Sequence, residues 1–199
     1  MSDADVRKFN ERAAHYENDW LGRTFHQQVQ RLTLDLAARI APNPSAILDV
    51  GCGTGSLLRQ AAERFPYATR TGVDPAERMI AVATEADPSA RLIVAPAERL
   101  PFNDNEFDLV VSTNSFHNWP DHRAGITEIG RVLRPGGTLV LVDPFAIGLL
   151  RPWAALIGKR NRMRTKPDVE AMLAESGLRD PQWQPITGFV HAVTASSRR

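Results

Sequence analysis

Asp49 stands two residues before the first of three alternating glycines, Gly51, Gly53 and Gly55, and a second acid, Asp74, ends the next apolar run. Glycines so spaced let a backbone take positive φ and approach a ligand closely. A merely tight turn needs fewer of them. A nicotinamide dinucleotide site would read G-x-G-x-x-G, but position 56 holds Ser56. The phosphate loop G-x-x-x-x-G-K-[ST] is missing as well, so neither phosphate fingerprint is met. The acids narrow the ligand further. Asp49 disfavours a pyrophosphate and favours positive charge. Asp74 can accept hydrogen bonds from both ribose hydroxyls of an adenosine. It can equally cap a helix ahead of Pro75, and the two roles are compatible. Cys52, inside the loop, is the chain's one cysteine. It excludes an intrachain disulfide and a Cys-pair metal site. No metal site is expected, and no nucleophilic role is assigned to Cys52.

The elements that must position these residues alternate along the chain. The stretch from about Asp3 to Ala41 reads as two helices; in the second, Phe25, Val29, Leu32, Leu36 and Ile40 recur at helical spacing until Pro42 and Pro44 stop it. Then "AILDV", "TRTGVD", "RLIVA", "FDLVVST" and "TLVLVD" read as strands. Between them "TGSLLRQAAERF", "AERMIAVATEA" and "RAGITEIGRVL" read as helices, and "RPGG" as a turn. Continuous apolar runs mark strands buried on both faces of a parallel sheet. Beyond the helix "PDVEAMLAESG", the runs "LRDPQWQPIT" and "FVHAVTASS" meet at Gly188 as an antiparallel hairpin. The expected fold is α/β and Rossmann-like: a mostly parallel seven-stranded sheet, one antiparallel strand, helices on both faces. Ligands of such sheets bind at the carboxyl ends of the strands.

The 199 residues fit a single domain: N-terminal helices over 1–43 on the lid and acceptor side, a cofactor-binding core over 44–143, and a variable segment, helix and hairpin over 144–199. A net charge of +1 gives no electrostatic case for a nucleic-acid partner. "FAIGLLRPWAALIG", cut by Arg151 and Pro152, falls short of the roughly 20 apolar residues of a spanning helix. A cytoplasmic location is expected. The run Lys159, Arg160, Arg162, Arg164, Lys166 reads as a solvated basic loop, or as a contact for an anionic acceptor or an acidic membrane surface.

"ILDVGCGTGSLL", "TGVDPAERMI", "VAPAERLPFNDNEFDLVVSTNSFHNW" and "RVLRPGGTLVLVD", in this order from Ala46 to Asp143, resemble the class I S-adenosylmethionine-dependent methyltransferases. The group most similar is the small-molecule branch that includes quinone-biosynthesis methyltransferases. The resemblance implies S-adenosyl-L-methionine as cofactor and S-adenosylhomocysteine as product. It implies that Asp49 and the loop Gly51, Cys52, Gly53 and Gly55 hold the methionine end, with Asp49 facing the ammonium. Asp74 would bind the ribose, and Pro75 and Met79 would pack near the adenosine. The family carries an acid and a small residue after the third strand. Here Pro96 replaces the acid, leaving the adenine mainly to the Ala97 backbone N–H and apolar packing, with Glu98 either a substitute acid or a structural, solvent-facing residue. Asn114 and Ser115 would line the methionine end. Phe116, His117 and Trp119 would point toward the reaction site or pack as core, with His117 the general-base candidate. Phe9, Ala13, Tyr16 and Trp20 fall on one helical face; Tyr16 would touch the methionine end and His15 approach the acceptor.

The function implied is methyl transfer by direct in-line displacement to a small-molecule or lipid-like acceptor. The acceptor atom is left open among oxygen, nitrogen, sulfur and carbon. The enzyme would be a monomer or homodimer, with no stable membrane insertion and at most peripheral contact. The alternative is a non-catalytic cofactor-binding scaffold or sensor of the same fold. A nucleotide-modifying enzyme lacks its [N/D]-P-P-[Y/F] stretch here, and a nicotinamide oxidoreductase fails on glycine spacing.

Overall fold

The computed structural model describes residues 3–12, 20–145, 163–188 and 190–198. In chain order the elements are α1 (Asp3–Arg12), α2 (Trp20–Ile40), β1 (Ala46–Val50), α3 (Ser56–Arg64), β2 (Thr69–Asp74), α4 (Glu77–Ala86), β3 (Arg91–Val94), β4 (Phe107–Thr113), α5 (His122–Val132), β5 (Leu133–Pro144), α6 (Lys166–Glu175), β6 (Leu178–Thr187) and β7 (Val190–Ser197). A short 3-10 turn, Phe116–Asn118, follows β4. The strands form one seven-stranded sheet in the order β3-β2-β1-β4-β5-β7-β6. The β1, β2, β3, β4 and β5 pairings are parallel, and β7 is antiparallel to both β5 and β6. The expected fold, including its single antiparallel strand, is the one observed.

Successive side chains of a strand point to opposite faces, and the core divides accordingly. Ile47, Leu109, Val111, Val140 and Val142 pack on one face with Val29, Leu36 and Ala37 of α2 and Leu57 and Ala61 of α3. Leu48, Val50, Val110, Leu139 and Leu141 pack on the other with Ile126 and Ile129 of α5 and Val169 and Leu173 of α6. Strand order reverses between β1 and β4, which opens a crevice at their carboxyl ends.

Two expectations need correction. Phe25 and Ile40 are not on the buried stripe of α2: they are 37% and 41% exposed. Among the described side chains of α2, Val29, Thr33, Leu34, Leu36 and Ala37 are buried, and the apolar ones pack against α3 and the sheet. "RPGG" is not a turn preceding the fifth strand but lies within β5. The pairing steps from Phe107↔Leu133 to Leu109↔Thr138, so the segment bulges out between paired flanks, with Gly136 at φ 78°.

Candidate functional site

The β1–α3 connection is pinned before it turns. The backbone N–H groups of Gly51 and Cys52 both donate to the Val73 carbonyl, at 2.8 and 3.0 Å. Gly51 then takes φ 80°, and a Cβ there would lie 1.8 Å from Ser115 Oγ. No side chain fits that approach between the β1 and β4 ends. Gly53 and Gly55 also have positive φ, and Gly55 leads into α3 without any side-chain cap. The start of α3 thus lacks a side-chain cap while Ser56 lines the crevice, an arrangement suited to negative or dipolar ligand groups.

A cleft of about 950 Å³, open to solvent, lies over this loop. Of the residues expected at a cofactor, it is lined by Asp49, Gly51, Cys52, Gly53, Asp74, Met79, Asn114 and Ser115. Phe9 of α1 also reaches it. Gly55, Pro75, Pro96, Ala97 and Glu98 are not among its lining residues. Pro96 is exposed and Ala97 buried after β3. Glu98 Oε1 accepts a hydrogen bond from the Asp121 N–H at 3.2 Å, at the start of α5. Tyr16, His15 and Ala13 lie outside the described residues, as do Lys159, Arg160 and Arg162.

The two acids of the cleft differ in their partners. Asp74 accepts from the Gly53 N–H at 3.0 Å through Oδ2 and from the Ala76 N–H at 2.8 Å through Oδ1. The second bond closes an Asx turn, so the residue that caps α4 is Ala76 and not Asp74. Burial raises the Asp74 carboxyl above its ordinary range, and these two bonds oppose the rise. Asp49 is 1% exposed, and its Oδ1 has no hydrogen-bond partner. Burial, and then the nearby Asp74 charge, push its pKa up to about 8. A buried, unpartnered carboxylate is costly, and a cationic group in the cleft would relieve that cost. Burial, followed by Asp49 and Asp74, also pushes the Cys52 thiol well up, so it stays neutral.

The rest of the lining comes from residues the loop motif does not contain. His26, Gln27 and Gln30 of α2 and Ser56 and Arg59 of α3 form one wall. Ser56 Oγ and Gln60 Nε2 both donate to Gln30 Oε1, at 2.9 and 2.8 Å, tying the two helices together. Arg59 Nη1 donates to the Thr54 carbonyl at 2.6 Å, which brings a guanidinium to the rim. Asn114, at φ 50°, meets His26 Nδ1 through Nδ2 at 3.1 Å. The sequence signal for this wall is slight: polar residues at 26, 27 and 30 interrupt an otherwise apolar stripe.

Past β4, Ser115 Oγ accepts from Trp119 Nε1 at 3.1 Å. Phe116 and Trp119, 1% and 5% exposed, pack edge to face in the core. His117 is half-buried and bonds through Nδ1 to Asp143 at the end of β5, while its neighbour Asn118 lines the cleft. Arg164 is no solvated charge: its Nε is buried, and Nη2 lies 3.1 Å from His122 Nδ1.

A methyltransferase-domain family model matches residues 48–141, from β1 into β5. Over this part of the chain, which holds the glycine loop and the ends of β1, β2 and β4, the sequence is that of a methyltransferase domain. It is 32% identical over 162 residues to the trans-aconitate 2-methyltransferase of Variovorax paradoxus, covering 74% of this chain and 62% of that protein. It is 38% identical over 118 residues to the demethylmenaquinone methyltransferase of Thermus thermophilus, covering 57% and 53%. The chain thus spans less than two-thirds of the length of either curated relative. In structure it matches the Haloferax volcanii methyltransferase solved in complex with the Trm112 methyltransferase activator. That match has a TM-score of 0.79 at 18% identity and covers 96% of this chain and 98% of the other. At that identity the likeness speaks for the fold alone.

The residues present fit an S-adenosylmethionine-type donor. An unpartnered buried acid suits its cationic end, a loop with no room for Cβ suits close backbone contact, and a carboxylate with spare lone pairs suits its ribose.

Proposed function

We propose that this protein catalyses S-adenosylmethionine-dependent methyl transfer to a small-molecule acceptor. The observation that carries the reading is the Asp49 carboxylate, buried and unpartnered at the floor of the glycine-loop cleft. Asp49 takes the ammonium of the methionine end, and Arg59, which also lines the cleft, takes its carboxylate. Asp74 accepts from the ribose hydroxyls with the lone pairs its two backbone bonds leave over. Met79, buried to 1% and packed with Ala76, gives the adenosine an apolar seat beside Phe9. Asn114 and Ser115 border the methionine end. Ala97 offers its backbone N–H to the adenine, and Pro96 leaves that contact without an acid.

The bound cofactor supplies an activated methyl group on a sulfonium, so the hardest chemistry is already in the donor. The chain's task is to hold donor and acceptor in line and exclude water. Orientation contributes about 7–11 kcal/mol, whereas a positioned base adds about 10²–10⁴-fold. Relatives named for trans-aconitate and demethylmenaquinone support a small organic acceptor. Among the described residues no helix is long and apolar enough to cross a membrane. We place the enzyme in the cytoplasm, as a monomer or homodimer without a nucleic-acid partner.

Thermal shift with S-adenosylhomocysteine against NAD tests the donor site, and transfer of an isotopically labelled methyl group to a metabolite extract tests the activity. Stabilisation by S-adenosylhomocysteine and appearance of labelled product are expected. Stabilisation by NAD alone overturns the reading.

A further inference from the structure

The end of β5 carries a second buried acid, which the glycine-loop site does not use. Asp143 is 1% exposed and lies 2.9 Å through Oδ1 and 3.2 Å through Oδ2 from His117 Nδ1. Its carboxylate also accepts from the backbone N–H groups of Phe116 and His117. One acid therefore holds both the 3-10 turn and the ring that the turn carries. With Nδ1–H donating to Asp143, the free lone pair of the neutral imidazole is on Nε2. Asn118 Nδ2 sits 3.0 Å from that nitrogen, and Asn118 lines the cleft beside Asn114 and Ser115. A single side-chain amide thus separates the basic nitrogen from the cavity.

We propose that the Asp143–His117 pair is a proton-accepting device for an acceptor that reacts through an ionisable hydroxyl, a phenol or an enol, with Asn118 holding Nε2 until the acceptor's O–H replaces its amide. The inference rests on the methyl-transfer reading above and names the acceptor class for it. A carboxylic acid acceptor, with a pKa near 4, is already ionised at neutral pH and gives a base nothing to do. A phenol, with a pKa near 10, must lose its proton as it attacks. As the hydroxyl oxygen bonds to the methyl carbon, the O–H proton passes to His117 Nε2. The carbon–sulfur bond breaks with its electron pair kept by sulfur. The products are a methyl ether, the thioether and an imidazolium, which Asp143 stabilises until the proton passes to water. Asp143 acts through His117 and is a positioning residue.

Histidine-selective ¹⁵N NMR on the full chain tests the pair directly. Burial opposes protonation of His117, and the Asp143 hydrogen bond and charge outweigh it, so His117 titrates above its ordinary 6.5. Among the described residues, Asp143 is the charged group that faces the ring. The expected spectrum shows the Nδ1–H tautomer when neutral, with the titration moved down in Asp143→Asn and largely restored in Asp143→Glu. An Nε2–H tautomer, or a titration that Asp143→Asn leaves unmoved, overturns the proposal. In the labelled-methyl assay, product in base-stable ethers is expected, and His117→Gln lowers kcat by about 10²–10⁴-fold. Label in base-labile esters or in amines, or full turnover by His117→Gln, overturns it. Calorimetry with S-adenosylhomocysteine separates the two readings: His117→Gln and Asp143→Asn bind it as the unmodified chain does, whereas failure of the unmodified chain to bind it sinks the donor site instead.

Discussion

The chain buries one carboxylate at the carboxyl end of β1 and another at the carboxyl end of β5, each 1% exposed. Asp143, on β5, is met by a ring nitrogen and two backbone N–H groups of its own chain. Asp49, on β1, leaves Oδ1 with nothing. Burial lifts both carboxyls, the first opposed by His117 and the second reinforced by Asp74. Equal depth therefore carries two meanings. At β5 the fold completes its own polar network, which fixes the geometry of a ring. At β1 the network stays open, and the free energy of closing it is held for a ligand. Leaving a buried acceptor unpaired costs roughly 1–3 kcal/mol or more, so the open end lowers stability where binding will restore it.

The most severe test of the β1 end is its backbone. In Gly51→Ala, the positive φ and the Cβ directed at Ser115 Oγ act together. A left-handed conformation costs about 1–2 kcal/mol for a residue with Cβ, and overpacking about 1–3 kcal/mol. Chemical denaturation should show a loss of about 2–5 kcal/mol, and S-adenosylhomocysteine binding should fall below detection. A near-normal Gly51→Ala would mean that the β1 end is not built on close approach.

Next comes the pair Asp49→Asn and Asp143→Asn, whose effects on stability should have opposite signs. Asp49→Asn removes the cost of burying an unpartnered ionisable carboxyl and should raise the Tm of the ligand-free protein. It should weaken S-adenosylhomocysteine binding by about 30–10³-fold, on the scale of about 2–4 kcal/mol for losing one partner of a buried charge pair. Asp143→Asn should lower stability by about 1–3 kcal/mol. If both variants lose stability equally, the contrast between the two ends is gone.

The pH dependence sharpens the contrast further. Asp49 rises from 3.8 to about 8 in the ligand-free fold. A carboxyl raised in this way contributes stability that is fully present below about 3.8 and is lost as pH climbs through about 8. Asp74 moves in the same direction. A bound cation returns Asp49 toward its ordinary range. Affinity should then increase with pH up to about 8, by at most about tenfold per unit, with proton release on binding. Calorimetry in buffers of different ionisation enthalpy reads that release, and Asp49→Asn should abolish it. Asp87, Asp108 and Glu128 are lowered and have the reverse effect, supporting the fold until pH falls below the ordinary carboxylate range.

The smallest expected effect belongs to Glu98. With its Oε1 on the Asp121 N–H, Glu98→Gln should change S-adenosylhomocysteine affinity by less than about threefold. The inosine analogue should bind nearly as well as S-adenosylhomocysteine. A large loss with that analogue would show an acid at the adenine after all.

The β1 end was legible because its chemistry is local. Asp49, Gly51 and Gly53 lie within five positions, and Asp74 closes the adjacent strand, so alternation and spacing were enough. Apolar runs marked β1 to β5 for the same reason, whereas β6, with Arg179, Asp180 and Pro181, was read from its place in the hairpin about Gly188. The β5 end was not legible, because His117 and Asp143 meet only once β4 and β5 pair through Thr113↔Val142. Gln30 and Arg59 were missed likewise: they come to line one cleft only when α2 packs on α3. Phe25 and Ile40 fit a helical period, but periodicity does not say how far the covering surface extends. Glycine in "RPGG" marks a change of direction without saying whether pairing resumes beyond it.

β7 lies between two strands that precede it in the chain, and its pairing Asp143↔His191 flanks the carboxylate that orients His117. During synthesis β5 therefore emerges without one of its two neighbours. At about 5–20 residues per second, several seconds pass before the stretch from Val190 onward leaves the ribosome. The donor cleft, bounded by β1, β2 and β4, has all of its strands by then. A nascent chain would complete the strands of the donor cleft before the β7 strand that flanks Asp143, so the surroundings of the proton acceptor would be the last to close.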